Sequence, residues 1–287
     1  MKCNREWKDY QIIATGDGMK LERWSKYHLL RPDPQVIWPS SFDLYGYKAL
    51  DGVYRRSKTG GGAWEMRKRI PAEFTVNWRD LTFSLKLMGF KHTGLFPEQA
   101  VNWATMIDLI RDSGHTPTVL NLFGYTGGAT VACTSAGAVV THVDAAKAMV
   151  ERCKENMRLS NLAERPVRYI VDDCVRFVEK EIRRGKKYDA IIMDPPSYGR
   201  GPSGEMWKIE ESLYPLLELC AKVLTDKPLF FLINSYTTGL QPTVIKNMLT
   251  RIMKEHGGVV EAYEVGLPTD EEDIILPCGA SAFWKEK

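Results

Sequence analysis

TVLNLFGYTGGATVACTSAGAVVTHVD, residues Thr118 to Asp144, is the stretch whose reading decides the fold. It opens on an apolar run, Val119 to Leu122, with the length and composition of a buried parallel strand. Gly124, Gly127 and Gly128 follow, then a small-residue helix from about Ala129 to Ser135. A second apolar run, Ala138 to Val143, ends on Asp144. This is one strand–turn–helix–strand unit with an acid about twenty residues beyond the first glycine. Such a unit suits an adenosine-type ligand, because glycines let backbone approach it and an acid accepts hydrogen bonds from ribose hydroxyls. A pyrophosphate is not predicted: the first glycine is followed by Tyr125, Thr126 and Gly127, which breaks G-x-G-x-x-G, and no Walker lysine follows.

Working outward from this unit, strands and helices alternate, which predicts a doubly wound, mostly parallel α/β sheet. Helices are expected over residues 145–160, 174–184, 207–224 (with Pro215 inside) and 242–255, and strands over 166–171, 188–193 and 229–233. Val259–Val265 and Ser281–Trp284 read as a closing antiparallel pair, giving a seven-stranded Rossmann-like sheet. Upstream, a helix from Pro97 to about Arg111 is expected to bury Val101, Ala104, Ile107 and Leu109. Before it, residues 1–85 read as a small antiparallel β domain, with Tyr10–Ala14 and Leu21–Leu30 flanking the turn Thr15-Gly16-Asp17-Gly18. The division is therefore 1–85, β-rich, and 86–287, α/β.

In a doubly wound sheet ligands lie at the carboxyl ends of the strands, near the switch in strand order. Here the first strand ends at Asn121-Leu122-Phe123-Gly124, the second at Asp144, the third at Asp173-Cys174 and the fourth at Asp194-Pro195-Pro196-Ser197-Tyr198. One acid at a strand end is often just a helix cap. Three at successive strand ends point to a ligand rich in hydroxyl and amine donors.

The order of elements over residues 86–287 resembles the class I S-adenosylmethionine-dependent methyltransferases. DPPSYGRG at 194–201 and KHTGLFPEQAVNW at 91–103 are similar to segments of the ribosomal RNA large-subunit methyltransferase family, here without a PUA domain. The resemblance implies S-adenosyl-L-methionine as cofactor and an enzyme that transfers its methyl group. It also implies that Thr93, Gly94, Phe96 and Gln99 lie against the cofactor, with His92 standing where the family has lysine. The cofactor-holding set expected from the strand ends and the resemblance together is Thr93, Phe96, Gln99, Asn121, Phe123, Gly124, Tyr125, Thr126, Gly127, Gly128, Asp144, Ala145, Asp173, Cys174 and Asp194. Asp194, Pro195, Pro196 and Tyr198 are expected to form the catalytic turn: the prolines stiffen it, the Asp194 carboxylate and Pro195 carbonyl accept from an amino group or ring N–H, and Tyr198 stacks on a flipped base.

A cytosine-5 enzyme needs a thiolate that attacks C6. The cytosine-5 relatives carry it just past the fifth strand, where this chain has Asn234-Ser235-Tyr236-Thr237. Cys278 sits in a polar setting, but nothing in the sequence around it lowers its pKa. Methylation of a nucleobase nitrogen is the reading that follows. The acceptor is expected to be ribosomal RNA; a protein side chain or small molecule is the alternative, and a cofactor-binding module without catalysis the third. Residues 1–85 carry 15 Lys+Arg against 10 Asp+Glu, net +5, and the remainder 24 against 26, so the N-terminal part is the one expected to face RNA. Its basic residues include Arg55, Arg56, Lys58, Arg67, Lys68 and Arg69, and its aromatics include Trp7, Trp24, Trp38, Trp64, Phe74 and Trp78. The six cysteines form no C-x-x-C pair and no zinc spacing, so no metal is expected. With no apolar run near eighteen residues, the chain reads as soluble and cytoplasmic, without a membrane partner. A homodimer is the self-association considered.

Overall fold

The computed structural model describes residues 1–57, 61–87, 93–200, 204 and 206–286; Lys58 and His92, both singled out above, lie outside them. The chain forms two compact units, residues 2–100 with 266–278, and residues 101–265 with 279–287 and Met1.

The first unit holds β1 (Lys2–Cys3), β2 (Tyr10–Gly16), β3 (Met19–Trp24), β4 (Tyr27–Pro32), β5 (Leu50–Arg56), β6 (Gly62–Met66), β7 (Glu73–Trp78) and β8 (Leu81–Lys86). Strands β2 to β6 make one sheet in chain order, and β7 pairs with β8 as a separate hairpin. The turn at Asp17-Gly18 closes the first hairpin with both residues at positive φ, 52° and 75°, the backbone a two-residue turn needs. The expected strand Leu21–Leu30 is instead two, broken at Ser25, whose φ of 54° turns the chain back. Nor is the sheet wholly antiparallel: β4 and β5 run parallel, because the long Pro- and Ser-bearing connection between them returns the chain to its starting edge. Trp24 and Trp78 are fully buried and belong to the core rather than to a surface. Beneath the sheet Glu22 accepts from Arg31 Nε at 2.6 Å and Tyr10 Oη at 2.7 Å. Burial pushes its carboxyl up, but Arg31 and Lys20 overcome this and hold it down to about 2.

The unit boundary falls after residue 100, not 85, and a later segment returns to this unit. Lys86 N donates to Thr93 O, and Trp7 Nε1 to Pro97 O, which ties residues 86–100 back. Likewise Gln11 Nε2 donates to Asp270, and Thr15 N to Glu271 Oε2.

The second unit contains α1 (Ala100–Asp112), β9 (Thr118–Leu122), α2 (Gly128–Ser135), β10 (Val139–Asp144), α3 (Lys147–Leu159), β11 (Val167–Val171), α4 (Cys174–Arg183), β12 (Ala190–Met193), β13 (Tyr198–Arg200), β14 (Met206–Lys208), α5 (Ile209–Ala221), β15 (Phe230–Ser235), α6 (Pro242–Ile252), β16 (Val259–Pro268) and β17 (Ile275–Lys285). The last two strands are long enough that 266–278, around their connection, falls in the first unit. In this unit the sheet order is β16-β17-β15-β12-β9-β10-β11. β9, β10, β11, β12 and β15 are mutually parallel, and β17 closes antiparallel against β15. The order reverses between β9 and β12, so the switch point lies between the loops that follow them. This is the α/β Rossmann-like methyltransferase fold expected.

The central strands are largely apolar because both faces are covered: all of β12 and β15 is buried, including Asn234 and Ser235 at the end of β15. On α1 the buried positions are Ala100, Asn102, Trp103, Met106, Ile107 and Ile110, a stripe shifted from the one expected, with Val101, Ala104 and Leu109 only half-buried. Asn102 donates to Asn234 Oδ1 at 3.2 Å and to Ser281 Oγ at 3.0 Å, and accepts from Tyr263 Oη at 2.6 Å. Such a satisfied buried network fixes the carboxyl end of β15. Residues 207 and 208 belong to a strand rather than to the start of α5, so the predicted helix 207–224 is shorter at both ends.

Candidate active site

At the carboxyl edge of β9 the chain is held in an uncommon shape. Phe123 and Tyr125 have φ of 54° and 51°, the left-handed region that costs a non-glycine residue energy. Three bonds impose it. Phe123 N donates to Cys174 Sγ at 3.3 Å, Tyr125 N to Asp144 Oδ2 at 2.8 Å, and Asn156 Nδ2 to Thr126 O at 2.8 Å. The end of β10, the start of α4 and helix α3 thus clamp one loop.

The glycines answer to the protein side of this loop. A Cβ on Gly124 would stand 2.4 Å from the His142 ring, and one on Gly127 would stand 2.2 Å from Cys153 Sγ. Glycine is required here for a packing reason, because the loop lies directly on β10 and α3. Gly127 also has φ of 84°, which ends the loop at the start of α2.

Beneath the loop Asn121 Nδ2 donates to Thr130 Oγ1 at 2.9 Å, and that hydroxyl shares a 2.9 Å hydrogen bond with His142 Nδ1. Burial pushes His142 down to about 4, so the ring is neutral. Unfolded, it would titrate near 6.5, so the unfolded chain takes up a proton first as pH falls. Stability is therefore full above about pH 6.5 and is lost as pH falls toward 4, costing roughly 2 kcal/mol between pH 7 and pH 5 from this ring alone. Urea titrations of wild type and His142→Gln at both pH values check it: the difference in their pH dependence should be of that size, and parallel profiles would show that His142 is not the group.

Asp144 closes the edge on one side. Its second oxygen, Oδ1, accepts from Ala146 N at 2.8 Å. Burial raises its carboxyl above the ordinary value against the pull of these two N–H groups. Asp173 caps α4 by accepting from Arg176 N at 3.0 Å, the mundane role weighed for such acids. Among the described residues neither acid has a cation partner. Two partly buried carboxylates with lone pairs to spare suit a ligand that brings hydroxyls, amines and positive charge, which is what S-adenosylmethionine offers. The residues present therefore fit that group. Cys174 is a buried thiol pushed well up, so its part is to hold Phe123.

Across the switch point lies the Asp194 turn. Pro195 is buried, Asp194 half-buried and Tyr198 55% exposed. Tyr198–Arg200 pairs with Met206–Lys208 in a short hairpin that the sequence reading missed. Its signal was present: two three-residue runs, YGR and MWK, on either side of a Gly-Pro-Ser-Gly stretch. Trp207 is the hairpin's anchor. It is 8% exposed, its Nε1 donates to Pro196 O at 2.6 Å, and its ring lies 5.0 Å from that of Phe123. One indole thus touches both the cofactor loop and the Asp-Pro-Pro turn. Ser197 Oγ is hydrogen-bonded to Thr237 Oγ1 at 2.6 Å, a second tie from beyond β15. The Pro195 carbonyl accepts from no described residue.

The structure so brings together Asn121 to Gly128, Asp144, Ala145, Asp173, Cys174 and Asp194 to Tyr198 at one sheet edge. Thr93, Phe96 and Gln99 belong to the first unit, where Thr93 Oγ1 is buried without a hydrogen-bond partner among the described residues.

Comparison with known proteins agrees with this geometry. The S-adenosylmethionine-dependent methyltransferase family matches residues 50–222, more than half of the chain. A crystal structure of a SAM-dependent methyltransferase from Agrobacterium tumefaciens superposes with a TM-score of 0.94 at 30% identity, covering 99% of this chain and 93% of that one. The ribosomal RNA large subunit methyltransferase K/L of Syntrophotalea carbinolica is 26% identical over 80% of this chain, and its Shewanella frigidimarina counterpart 31% identical over 60%. The chain spans only 30% and 24% of the length of those two relatives. On the family match and the full-length structural agreement, this chain belongs to the S-adenosylmethionine-dependent methyltransferases and is an enzyme of that class.

Proposed function

We propose that the acceptor is a nucleobase of ribosomal RNA and that the atom methylated is a nitrogen. The observation that carries this is the Asp194-Pro195-Pro196 turn, which presents acceptors and no nucleophile. The Pro196 carbonyl is used by Trp207, whereas the Pro195 carbonyl is open among the described residues. An exocyclic amine donating one N–H to the Asp194 carboxylate and the other to the Pro195 carbonyl, or a ring N–H donating to either of them, is held in place with the nitrogen lone pair available to the methyl donor. Bound there, S-adenosylmethionine supplies an electrophilic methyl group on a sulfonium. The chain's own contribution is alignment, exclusion of water by buried Pro195 and Trp207, and an acceptor for the proton that the nitrogen sheds. Tyr198, exposed beside the turn, is placed to stack on the extruded base.

Carbon methylation is disfavoured because no thiolate is available. Asn234 and Ser235 occupy the end of β15, both buried. Cys278 donates to Leu276 O, and burial pushes its thiol well up. Relatives named as ribosomal RNA methyltransferases support the acceptor class.

The test is transfer of radiolabelled methyl from S-adenosylmethionine to ribosomal RNA from cells lacking this protein, beside a nucleic-acid-free extract of the same cells. Label is expected in RNA. Label confined to protein or to small molecules would replace this reading with the alternative.

A further inference from the structure

The interior tryptophans of the first unit are core, but two other aromatics of that unit are not. Phe42 is 42% exposed and Tyr45 36% exposed, both in the connection between β4 and β5. Tyr45 is held on the outside of the β5–β6 hairpin from two directions. Arg67 Nη1 donates to its carbonyl at 2.7 Å, and the Arg55 guanidinium lies 5.0 Å from its ring centroid with Nη1 3.4 Å from its hydroxyl. Phe42 stands 6.4 Å from the ring of Tyr47. An exposed aromatic pinned by two arginines keeps its orientation without being buried, an arrangement that a packing role does not call for.

Charge on the same stretch is one-sided. Residues 42–69 carry seven Lys+Arg (48, 55, 56, 58, 67, 68, 69) against three Asp+Glu (43, 51, 65), an excess of four positive charges. Glu65 is taken by Arg55 at 2.9 Å and Asp51 by Lys68 at 2.9 Å, while Arg56 and Arg69 have no acidic partner among the described residues. An oriented π-face on a stretch with surplus cations suits an unpaired polynucleotide strand: bases stack and phosphates are neutralised. A rigid duplex would hide its base faces from Tyr45, and an acidic protein would use the cations but not the rings.

We infer that Tyr45 and Phe42, with Arg55, Arg56, Arg67 and Arg69, form a platform for single-stranded RNA, separate from the methyl-transfer turn. It rests on the RNA reading above and adds the form of RNA held and the residues that hold it. The platform binds backbone and base faces without reading sequence.

The experiment is fluorescence anisotropy of the full chain with labelled oligouridine and with a labelled RNA duplex, at low and raised KCl. Tyr45→Ala is expected to weaken oligouridine binding roughly tenfold or more and Tyr45→Phe to restore it, since the ring and not the hydroxyl stacks. Arg56→Ala with Arg69→Ala should lower the salt slope by about one and a half, at ~0.7 per phosphate contact for single strands. Salt-dependent oligouridine binding by wild type with no change in these variants would overturn the platform and leave the RNA reading intact. Equal loss of duplex and single-strand binding in Tyr45→Ala would overturn it too, as would competition by polyglutamate as strong as by oligouridine. Absence of binding by wild type to either RNA, with methyl label in protein, would remove the RNA reading itself.

Discussion

Trp207→Ala is expected to lower kcat by about 100-fold or more, together with a stability loss of roughly 3–5 kcal/mol. The stability term follows from burial, since the side chain is only 8% exposed and packs into the core of the second unit. The catalytic term follows from its two attachments. Without the indole the Pro196 carbonyl loses the donor 2.6 Å away, and Phe123 loses the ring 5.0 Å from its own. Both walls of the reaction site are then free to shift, and small misplacements of a near-attack geometry are costly. Trp207→Phe separates the two terms. It keeps a ring against Phe123 and removes only the N–H, so cofactor affinity should hold while kcat falls roughly tenfold, about 0.5–1.5 kcal/mol of hydrogen bond. Steady-state kinetics, isothermal calorimetry with S-adenosylmethionine and thermal unfolding read the three quantities. A Trp207→Phe enzyme with unchanged kcat would show that the indole only fills space.

Asp144→Ala should raise the dissociation constant for S-adenosylmethionine by about 100-fold or more, with a smaller effect on folding. The carboxylate fixes the loop through Tyr125 N and Ala146 N and retains lone pairs for ribose hydroxyls. Loss of two charge-assisted hydrogen bonds at ~1.5 kcal/mol or more each gives that factor. Asp144→Asn keeps one accepting oxygen and should fall between. Calorimetry on both variants decides; affinity for Asp144→Ala within about threefold of wild type would remove Asp144 from the cofactor site.

What was legible in the sequence was whatever burial on two faces writes into composition. The runs before Gly124, Asp144 and Asp194 are largely apolar because those parallel strands are covered on both sides, whereas the edge strand before Asp173 is only partly buried, and the acids that follow these runs share one sheet edge. The physical cause of a given residue was less legible. Gly124 reads as an opening toward a ligand, yet the His142 ring occupies the space its Cβ would need. Trp207 reads as the first turn of a helix because it adjoins one, and only cross-strand pairing with Gly199 shows it to be a strand residue facing inward. The parallel pairing of β4 with β5 depends on the path of a long connection, which no local period records. For the same reason the unit boundary was misplaced: hydrogen bonds from Gln11 and Thr15 to Asp270 and Glu271 join residues more than 250 positions apart. Tyr45 and Phe42 passed unnoticed among the tryptophans because exposure, not residue type, distinguishes them.

Mass spectrometry of nucleosides from ribosomal RNA, with and without this protein and again after methylation in vitro, bears most directly on the central claim that an Asp-Pro-Pro turn lacking a thiolate methylates a base nitrogen. The account predicts one nucleoside, methylated on a ring or exocyclic nitrogen, that disappears without the protein and returns on incubation with it and S-adenosylmethionine. Return of 5-methylcytosine, or of a ribose-methylated nucleoside, would contradict it.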